Sequence, residues 1–137
     1  MRENGLSRRS ISTGTEWEAR VGYSRAIRVG SVIEVAGTVA MEEGQVISPG
    51  DPFIQTKHIL KKIENFIGQL GGNLSDIVRT RIYVVDINMW DEIGRAHGEV
   101  LGDARPVTSM VEVSSLIAPE YLVEIEATAI VERRNRS

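Results

Sequence analysis

The stretch LVEIEATAIV, residues 122–131, sets the architecture of the sheet because apolar and polar side chains alternate along its length. A period of two is typical of a strand in a sheet with one apolar face and one polar face. The carboxylates of Glu124 and Glu126 lie on the polar face. We therefore expect helices to cover the other face, which carries the apolar set Val123, Ile125, Ala127, Ala129 and Val131.

Two segments upstream have the period of helices that could cover this sheet. Asp51 and Pro52 supply an N-cap and a proline at the first helical position, and Gly71-Gly72 end the first helix. The second helix is expected from about Met89 to Leu101, with Asn88 as its cap. The residues expected on its core-facing stripe are Trp90, Ile93, His97, Val100 and Leu101.

The remaining segments predict strands. Residues 24–29 and 32–39 form a hairpin through Gly30-Ser31, a short edge strand could precede them at 9–12, and Gln45 to Ile47 give another short strand. Residues 77–85, 107–113 and about 121–132 complete the set. The prediction is an α+β fold, written as ββαβαβ, with one mixed sheet and both helices on one of its faces.

The polar face of this sheet is expected to carry charges of both signs. Period alone assigns Arg79 and Arg81, Thr108 and Glu112, and Glu124 and Glu126 to it, and assigns Val78, Ile82 and Val84 to the helix-covered face. Met110, Ile130 and Tyr83 make the polar face less hydrophilic than a fully solvated one. We expect partial burial in an oligomer, with arginines and carboxylates pairing across it.

Composition narrows the possible functions. The chain has 137 residues, a formal net charge of −3 and no cysteine, which excludes disulfides, thiolate nucleophiles and cysteine-based zinc sites. His58 and His97 lack metal-site spacing, so we expect no metal and no cofactor. The acidic balance argues against nucleic acid, and no apolar run is long enough for a membrane span. We expect one cytoplasmic domain over residues 1–137, with a core at about 10–132 and flexible termini.

Several segments together indicate a family. PVTSMVEV at 106–113, VAGTVA at 35–40, IVRTRIYVVD at 77–86 and LVEIEATAIV resemble the YjgF-like or reactive-intermediate deaminase (Rid) family, also called the L-PSP endoribonuclease-like family. The resemblance implies a chorismate-mutase-like fold and a homotrimer. Three sheets would form a central barrel, with small-metabolite clefts between the subunits. In the deaminating branch, such a cleft hydrolyses reactive enamines or imines to carbonyl compounds and ammonia.

The resemblance also implies the site residues, and here the chain departs from the family pattern. Thr108 stands where the deaminating branch has an arginine that binds the substrate carboxylate. Arg105 lies an odd number of residues away, so it does not obviously replace that arginine. Gly94 stands where the family often has asparagine. The positions that match are Tyr23, Ala36-Gly37-Thr38, whose backbone would contact substrate, and Glu124, the water-orienting catalytic glutamate.

Three functions follow as hypotheses. The first is an enamine or imine deaminase that uses Glu124 and has altered substrate specificity because of Thr108. The second is a non-catalytic trimer that binds or senses a small metabolite. The third is the endoribonuclease or translation-inhibitor activity of some relatives, which the net negative charge disfavours. His97 is expected to be a packing residue rather than a catalyst.

Overall fold

The structure is a computed structural model that describes residues 7–132. The first half contains β1 (Arg8–Ile11), α1 (Glu16–Val21), β2 (Ala26–Val29), β3 (Val32–Thr38), β4 (Met41–Glu42), β5 (Gln45–Val46) and α2 (Pro52–Gln69). The second half contains β6 (Ile77–Val84), α3 (Trp90–Leu101), β7 (Val107–Glu112) and β8 (Val123–Ile130). The expected flexible termini lie outside the described residues except for residues 7–9, of which Arg8 and Arg9 belong to β1.

One mixed sheet of six strands organises the fold, as the sequence predicted. Its order is β1-β2-β3-β8-β6-β7, and β4 pairs with β5 in a separate small hairpin. Among the described strands, only the β6–β7 pair is parallel, and its two strands are joined by α3. Helices α2 and α3 pack together on one face of the sheet, and α2 contacts β3 and β8. Within residues 7–132, no helix combines the length and apolar character that crossing a membrane requires.

Helix α2 begins and ends where the sequence indicated. The Asp51 side chain accepts a hydrogen bond of 3.0 Å from the Ile54 backbone N–H, which satisfies one of the unpaired N-terminal donors. At the other end, the guanidinium groups of Arg9 and Arg28 donate to the Leu70 carbonyl at 3.0 and 2.7 Å. Cations at this end offset the negative pole of the helix dipole. The two arginines therefore tie β1 and β2 to the end of α2.

The face predicted for β7 is wrong. In the parallel register, Thr108 is the partner of Thr80, and Glu112 is the partner of Val84. Thr80 and Val84 are buried on the helix-covered face, and register partners in neighbouring strands point to the same face. Thr108, Met110 and Glu112 therefore lie on the helix side. The open face carries Val107, Ser109 and Val111 from β7 beside Arg79, Arg81 and Tyr83 from β6.

Three further corrections concern β6 and α3. The register with β8 shifts between Ile77 and Arg79, so Ile77 is buried and Val78 is 41% exposed, the reverse of the expected alternation. Trp90 is 59% exposed rather than core-facing. Asn88 does not cap α3 because it lies in a short 3-10 turn, and the residue at the cap position, Met89, makes no side-chain cap bond.

Helix α1 was not predicted, and a buried carboxylate anchors it. Glu18 is 5% exposed and accepts hydrogen bonds from Ser12 Oγ at 2.7 Å, Thr13 N at 3.0 Å, Thr13 Oγ1 at 2.5 Å and Thr15 Oγ1 at 3.0 Å. Burial alone would raise the pKa of this carboxyl, but the hydrogen bonds from Thr13, Ser12 and Thr15 outweigh it and lower the pKa to about 2. Glu18 thus holds α1 against the loop that follows β1.

Candidate active site

A cavity of about 640 Å³ opens where the end of β3 meets α1, the β4–β5 hairpin and α2. Trp17 and Val21 of α1 form part of one wall, and Phe66 of α2 forms part of another. Four of the predicted site residues line this same cavity, namely Tyr23, Gly37, Thr38 and Glu124. The structure therefore brings most of the predicted site together within one chain.

A β-bulge shapes the floor of the cavity. Strand β3 pairs with β8 through Val35 and Ala127 and then through Thr38 and Ile125, so Ala36 and Gly37 form an irregularity between the two pairs. Such bulges redirect side chains and occur often beside active sites. A Cβ atom at Gly37 would overlap Glu124 Oε2 and lie 3.0 Å from Glu124 Cδ. The missing side chain at position 37 is what allows the Glu124 carboxylate to lie over the bulge.

The environment of Glu124 favours its protonated form. Partial burial is the largest cause that raises the pKa of this carboxyl above its ordinary value, and the charge of Glu126 adds to it. The positive charge of Arg25 opposes both. A carboxylate with a raised pKa is a stronger base, which suits it to accept and return a proton near neutral pH.

Arg25 holds the bulge from the cavity side. Its Nη2 donates to the Gly37 carbonyl at 2.6 Å and to Thr38 Oγ1 at 3.2 Å. Thr38, which is buried, donates in turn to the Ala36 carbonyl at 2.8 Å. The Arg25 guanidinium carbon lies 5.7 Å from the centre of the Tyr23 ring. The conformation of the bulge therefore depends on one side chain that the sequence analysis did not single out.

A second cation, Lys62 on α2, lines the same cavity. Its Nζ donates to the Val39 and Met41 carbonyls, each at 3.0 Å. Burial lowers the pKa of this ammonium, the nearby Glu42 charge raises it, and the Arg25 charge lowers it further. Lys62 thus fixes the chain after β3 and adds positive charge to the cavity.

Thr108 and Arg105, the other predicted site residues, lie in a separate shallow groove at the edge of the sheet, beside His97. Thr108 donates to the Pro106 carbonyl at 3.2 Å, and its Oγ1 lies 2.8 Å from Thr80 Oγ1. Thr80 Oγ1 is also 2.9 Å from His97 Nε2. Burial lowers the pKa of His97, so its ring is neutral at neutral pH. The side chains of His97, Thr80 and Thr108 therefore form one hydrogen-bonded chain, which joins α3 to the two parallel strands.

Arg105 has an unusual backbone conformation. Its φ is 48°, in the left-handed region that side-chain-bearing residues rarely adopt, and its backbone N–H donates to the Leu101 carbonyl at 2.8 Å. The side chain is exposed. Gly94, the other departure from the family pattern, lines neither the cavity nor the groove. Among residues 7–132, no group of three or more potential ligands has the arrangement that a metal ion needs.

The geometry is that of a small α+β protein with a glutamate set over a glycine-containing bulge in an open pocket. The chain belongs to the YjgF/Rid/L-PSP family, because the family model described as Endoribonuclease L-PSP matches residues 13–131. A crystal structure of Rv2704 from Mycobacterium tuberculosis, described as a YjgF/YER057c/UK114 family member, is 51% identical, with a TM-score of 0.83. The match covers 91% of this chain and 100% of that one.

Two curated relatives are also similar. The "Uncharacterized protein SCO2049" of Streptomyces coelicolor is 33% identical over 121 residues, which is 88% of this chain and 90% of that protein. The "3-aminoacrylate deaminase RutC" of Acinetobacter baylyi is 29% identical over 110 residues, which is 80% of this chain and 86% of that protein. The recognition of the family from sequence is confirmed.

Proposed function

We propose that this protein is a hydrolase that converts small reactive imines or enamines into carbonyl compounds and ammonia. The observation that carries the proposal is the Glu124 carboxylate over the Gly37 bulge, with a raised pKa, in a cavity large enough for a small metabolite. The name of the relative RutC, a 3-aminoacrylate deaminase, supports the same type of reaction.

The chemistry needs one group that first takes and then returns a proton. The Glu124 carboxylate removes a proton from water while the water oxygen bonds to the carbon of the protonated imine, giving a neutral carbinolamine. The protonated Glu124 then donates to the amine nitrogen, the carbon–nitrogen bond breaks, and ammonia leaves as the hydroxyl oxygen becomes the carbonyl and its proton passes back to the Glu124 carboxylate. The ammonia takes up this proton as ammonium, which regenerates the carboxylate. An enamine first takes a proton from solvent on carbon to become the protonated imine. General acid–base catalysis of this kind contributes about 10²- to 10⁴-fold.

The other predicted residues receive supporting roles in this proposal. The backbone of Ala36, Gly37 and Thr38 contacts the substrate, and Tyr23 bounds it from the side of β2. Thr108 contributes a hydroxyl from the edge groove, and Arg105, which is exposed beside it, contributes charge.

Association of the chain into a homotrimer belongs to the same proposal. The open face of the sheet exposes Val107 at 58%, Val111 at 47% and Ile130 at 44%. Tyr83 on this face donates to Glu126 at 3.0 Å, and Arg81 lies 3.9 Å from Glu126. A mixture of apolar side chains and paired charges is typical of a surface that another subunit covers. Neighbouring subunits would then bring the edge groove of one chain near the cavity of another. Sedimentation or light scattering tests this directly, and a monomer at micromolar concentration would refute it.

A binding protein without catalysis is the second candidate, and one observation favours it. The Thr108 hydroxyl already bonds Pro106 and Thr80, and it offers at most one neutral hydrogen bond where an arginine would give a charge-assisted pair. With this weaker interaction, a ligand could bind in the cleft without being oriented for reaction. Such a protein would show ligand-dependent thermal stabilisation without turnover.

The decisive experiment measures the rate of ammonia release from two substrates. One is an imine generated in the assay by an amino-acid oxidase, and the other is 3-aminoacrylate. We expect the purified protein to accelerate the release and Glu124→Gln to lose about 100-fold or more of that acceleration. Glu99→Gln is the matched control, because Glu99 pairs with Lys57 at 3.0 Å on the outer surface of the helices. A wild-type rate equal to the rate without protein would exclude the deaminase and leave the binder.

A further inference from the structure

The cavity holds cationic hydrogen-bond donors that the proposed reaction does not use. Of the three nitrogens of the Arg25 side chain, only Nη2 donates to an acceptor within residues 7–132. Its acceptors are the Gly37 carbonyl and Thr38 Oγ1. Nε and Nη1 of the same side chain remain for water or a ligand, although Arg25 is half-buried and lines the cavity. A half-buried guanidinium with open donors is a binding group for an oxyanion.

The surroundings of Arg25 favour an anion with an apolar body. Its guanidinium carbon lies 5.7 Å from the Tyr23 ring centre and 6.0 Å from the Phe66 ring centre, so aromatic groups fix its orientation. Lys62 brings a second positive charge to the cavity; the charge of Glu42 stabilises its ammonium, and the charge of Arg25 opposes it. Because Glu42, Glu43 and Glu124 also line the cavity, the open donors of Arg25, rather than the net charge of the lining, favour an anion. Trp17 and Ile117, 48% and 70% exposed, are among the apolar residues that line the cavity.

We propose that Arg25 is the carboxylate-binding residue of this cavity and that the ligand is an organic acid with an apolar side chain. Thr108 lies in the edge groove and offers only a hydroxyl that already has two protein partners. The positive charge instead comes from the loop before β2. Arg25 lines the same cavity as the Glu124 carboxylate, so a ligand held by its guanidinium lies within the cavity that contains the proposed base.

Arg105 is the rival for this role, and its surroundings are less suitable. It is exposed and lies in the edge groove with Thr108, whereas Arg25 shares one cavity with Glu124. Arg105 therefore lies outside the cavity of its own chain and could reach a ligand there only from a neighbouring subunit, whereas Arg25 and Glu124 line the same cavity of one chain. The inference rests on the cavity of the proposed function, but it concerns binding rather than turnover.

The test measures binding of 4-methyl-2-oxopentanoate and of its neutral amide by calorimetry. The acid is a stable carbonyl compound of the product class, and the amide has the same body without the charge. We expect the wild-type protein to prefer the acid, and Arg25→Gln to weaken acid binding by about tenfold or more while amide binding changes little. Arg95→Gln, which removes an equal charge from the outer surface of α3, is the control and should leave both affinities unchanged.

The other possible results of these binding measurements also decide whether Arg25 binds the carboxylate. Loss of acid preference in Arg105→Gln, with retention in Arg25→Gln, would assign the anchor to Arg105 and overturn the inference. An equal loss of acid and amide binding in Arg25→Gln would show that Arg25 only holds the bulge. Absence of acid binding to the wild type would also overturn it. If Arg25→Gln does not fold, the acid preference of Arg105→Gln decides: retention supports the inference, and loss refutes it. Selective acid binding without ammonia release would refute the deaminase and retain this inference.

Discussion

The buried carboxylate of Glu18 gives a prediction whose size follows from the structure. Its pKa is lowered from the ordinary value of 4.5 to about 2, and each pKa unit corresponds to about 1.4 kcal/mol of differential stability. The folded state therefore gains about 3 kcal/mol from ionised Glu18. Because the folded pKa is the lower one, this stability is fully present above the unfolded pKa and is lost as the pH falls through about 2.

The test substitution is Glu18→Gln, which keeps the shape of the side chain and removes its charge. We expect the free energy of unfolding at neutral pH to fall by about 3 kcal/mol, and the difference from wild type to shrink as the pH falls below about 4.5. Urea unfolding at several pH values and one fixed protein concentration measures this difference. Glu16→Gln is the control, since Glu16 lies in the same helical turn and is exposed.

The anchoring role of Glu18 would be contradicted by a difference that is below about 1 kcal/mol at neutral pH, or by one that does not change with pH. The variant also has a functional readout. Trp17 and Val21 of α1 line the cavity, so loosening α1 should weaken ligand binding before it abolishes folding.

Three further predictions concern the bulge, the base and helix α2. Gly37→Ala should fold with little loss of stability, because the atom it displaces is the end of a flexible side chain, but it should lose most of the proposed deaminase activity. Circular dichroism checks the folding, and the ammonia assay checks the activity. The activity should fall as the pH drops through the raised pKa of Glu124, and this limb should vanish in Glu124→Gln; a flat wild-type profile down to about pH 4 would contradict it. Gly68→Ala, at an exposed site of α2 with nothing within 4 Å of the new Cβ, should raise the free energy of unfolding by about 0.5 to 1 kcal/mol in urea titrations.

Sequence periodicity predicted the elements better than it predicted their faces. The two long helices, the hairpin of β2 and β3, and the alternation of β8 all follow from local pattern and capping residues. The face of β7 does not, because alternation says which residues share a face but not which face neighbours the helices. That choice depends on the pairing of Thr108 with Thr80 in the neighbouring strand. The bulge that exposes Val78 is likewise a property of pairing.

Helix α1, which forms part of the cavity wall, was not predicted, although the sequence contains a capping signal for it. Thr15 and Glu18 have the spacing of a capping box, and in the structure the Thr15 side chain accepts from the Glu18 backbone N–H at 3.3 Å. This spacing would have indicated α1. Arg25 and Lys62 carry no such signal, because their role depends on β2, β3 and α2 meeting at one cavity. The matches at Tyr23, Gly37, Thr38 and Glu124 were available only through resemblance to a family.

The close approach of Glu124 to Gly37 couples the side chains allowed at two positions that are far apart in the sequence. A chain that gains a side chain at position 37 must shorten or redirect the one at position 124, and a chain that loses the glutamate removes the constraint on the glycine. Alanine at position 37 should therefore displace the side chain at position 124 when that residue is glutamate, but not when it is alanine. Among related sequences, replacements at the two positions are expected to occur together, so their pairing would mark the relatives that keep the proposed base.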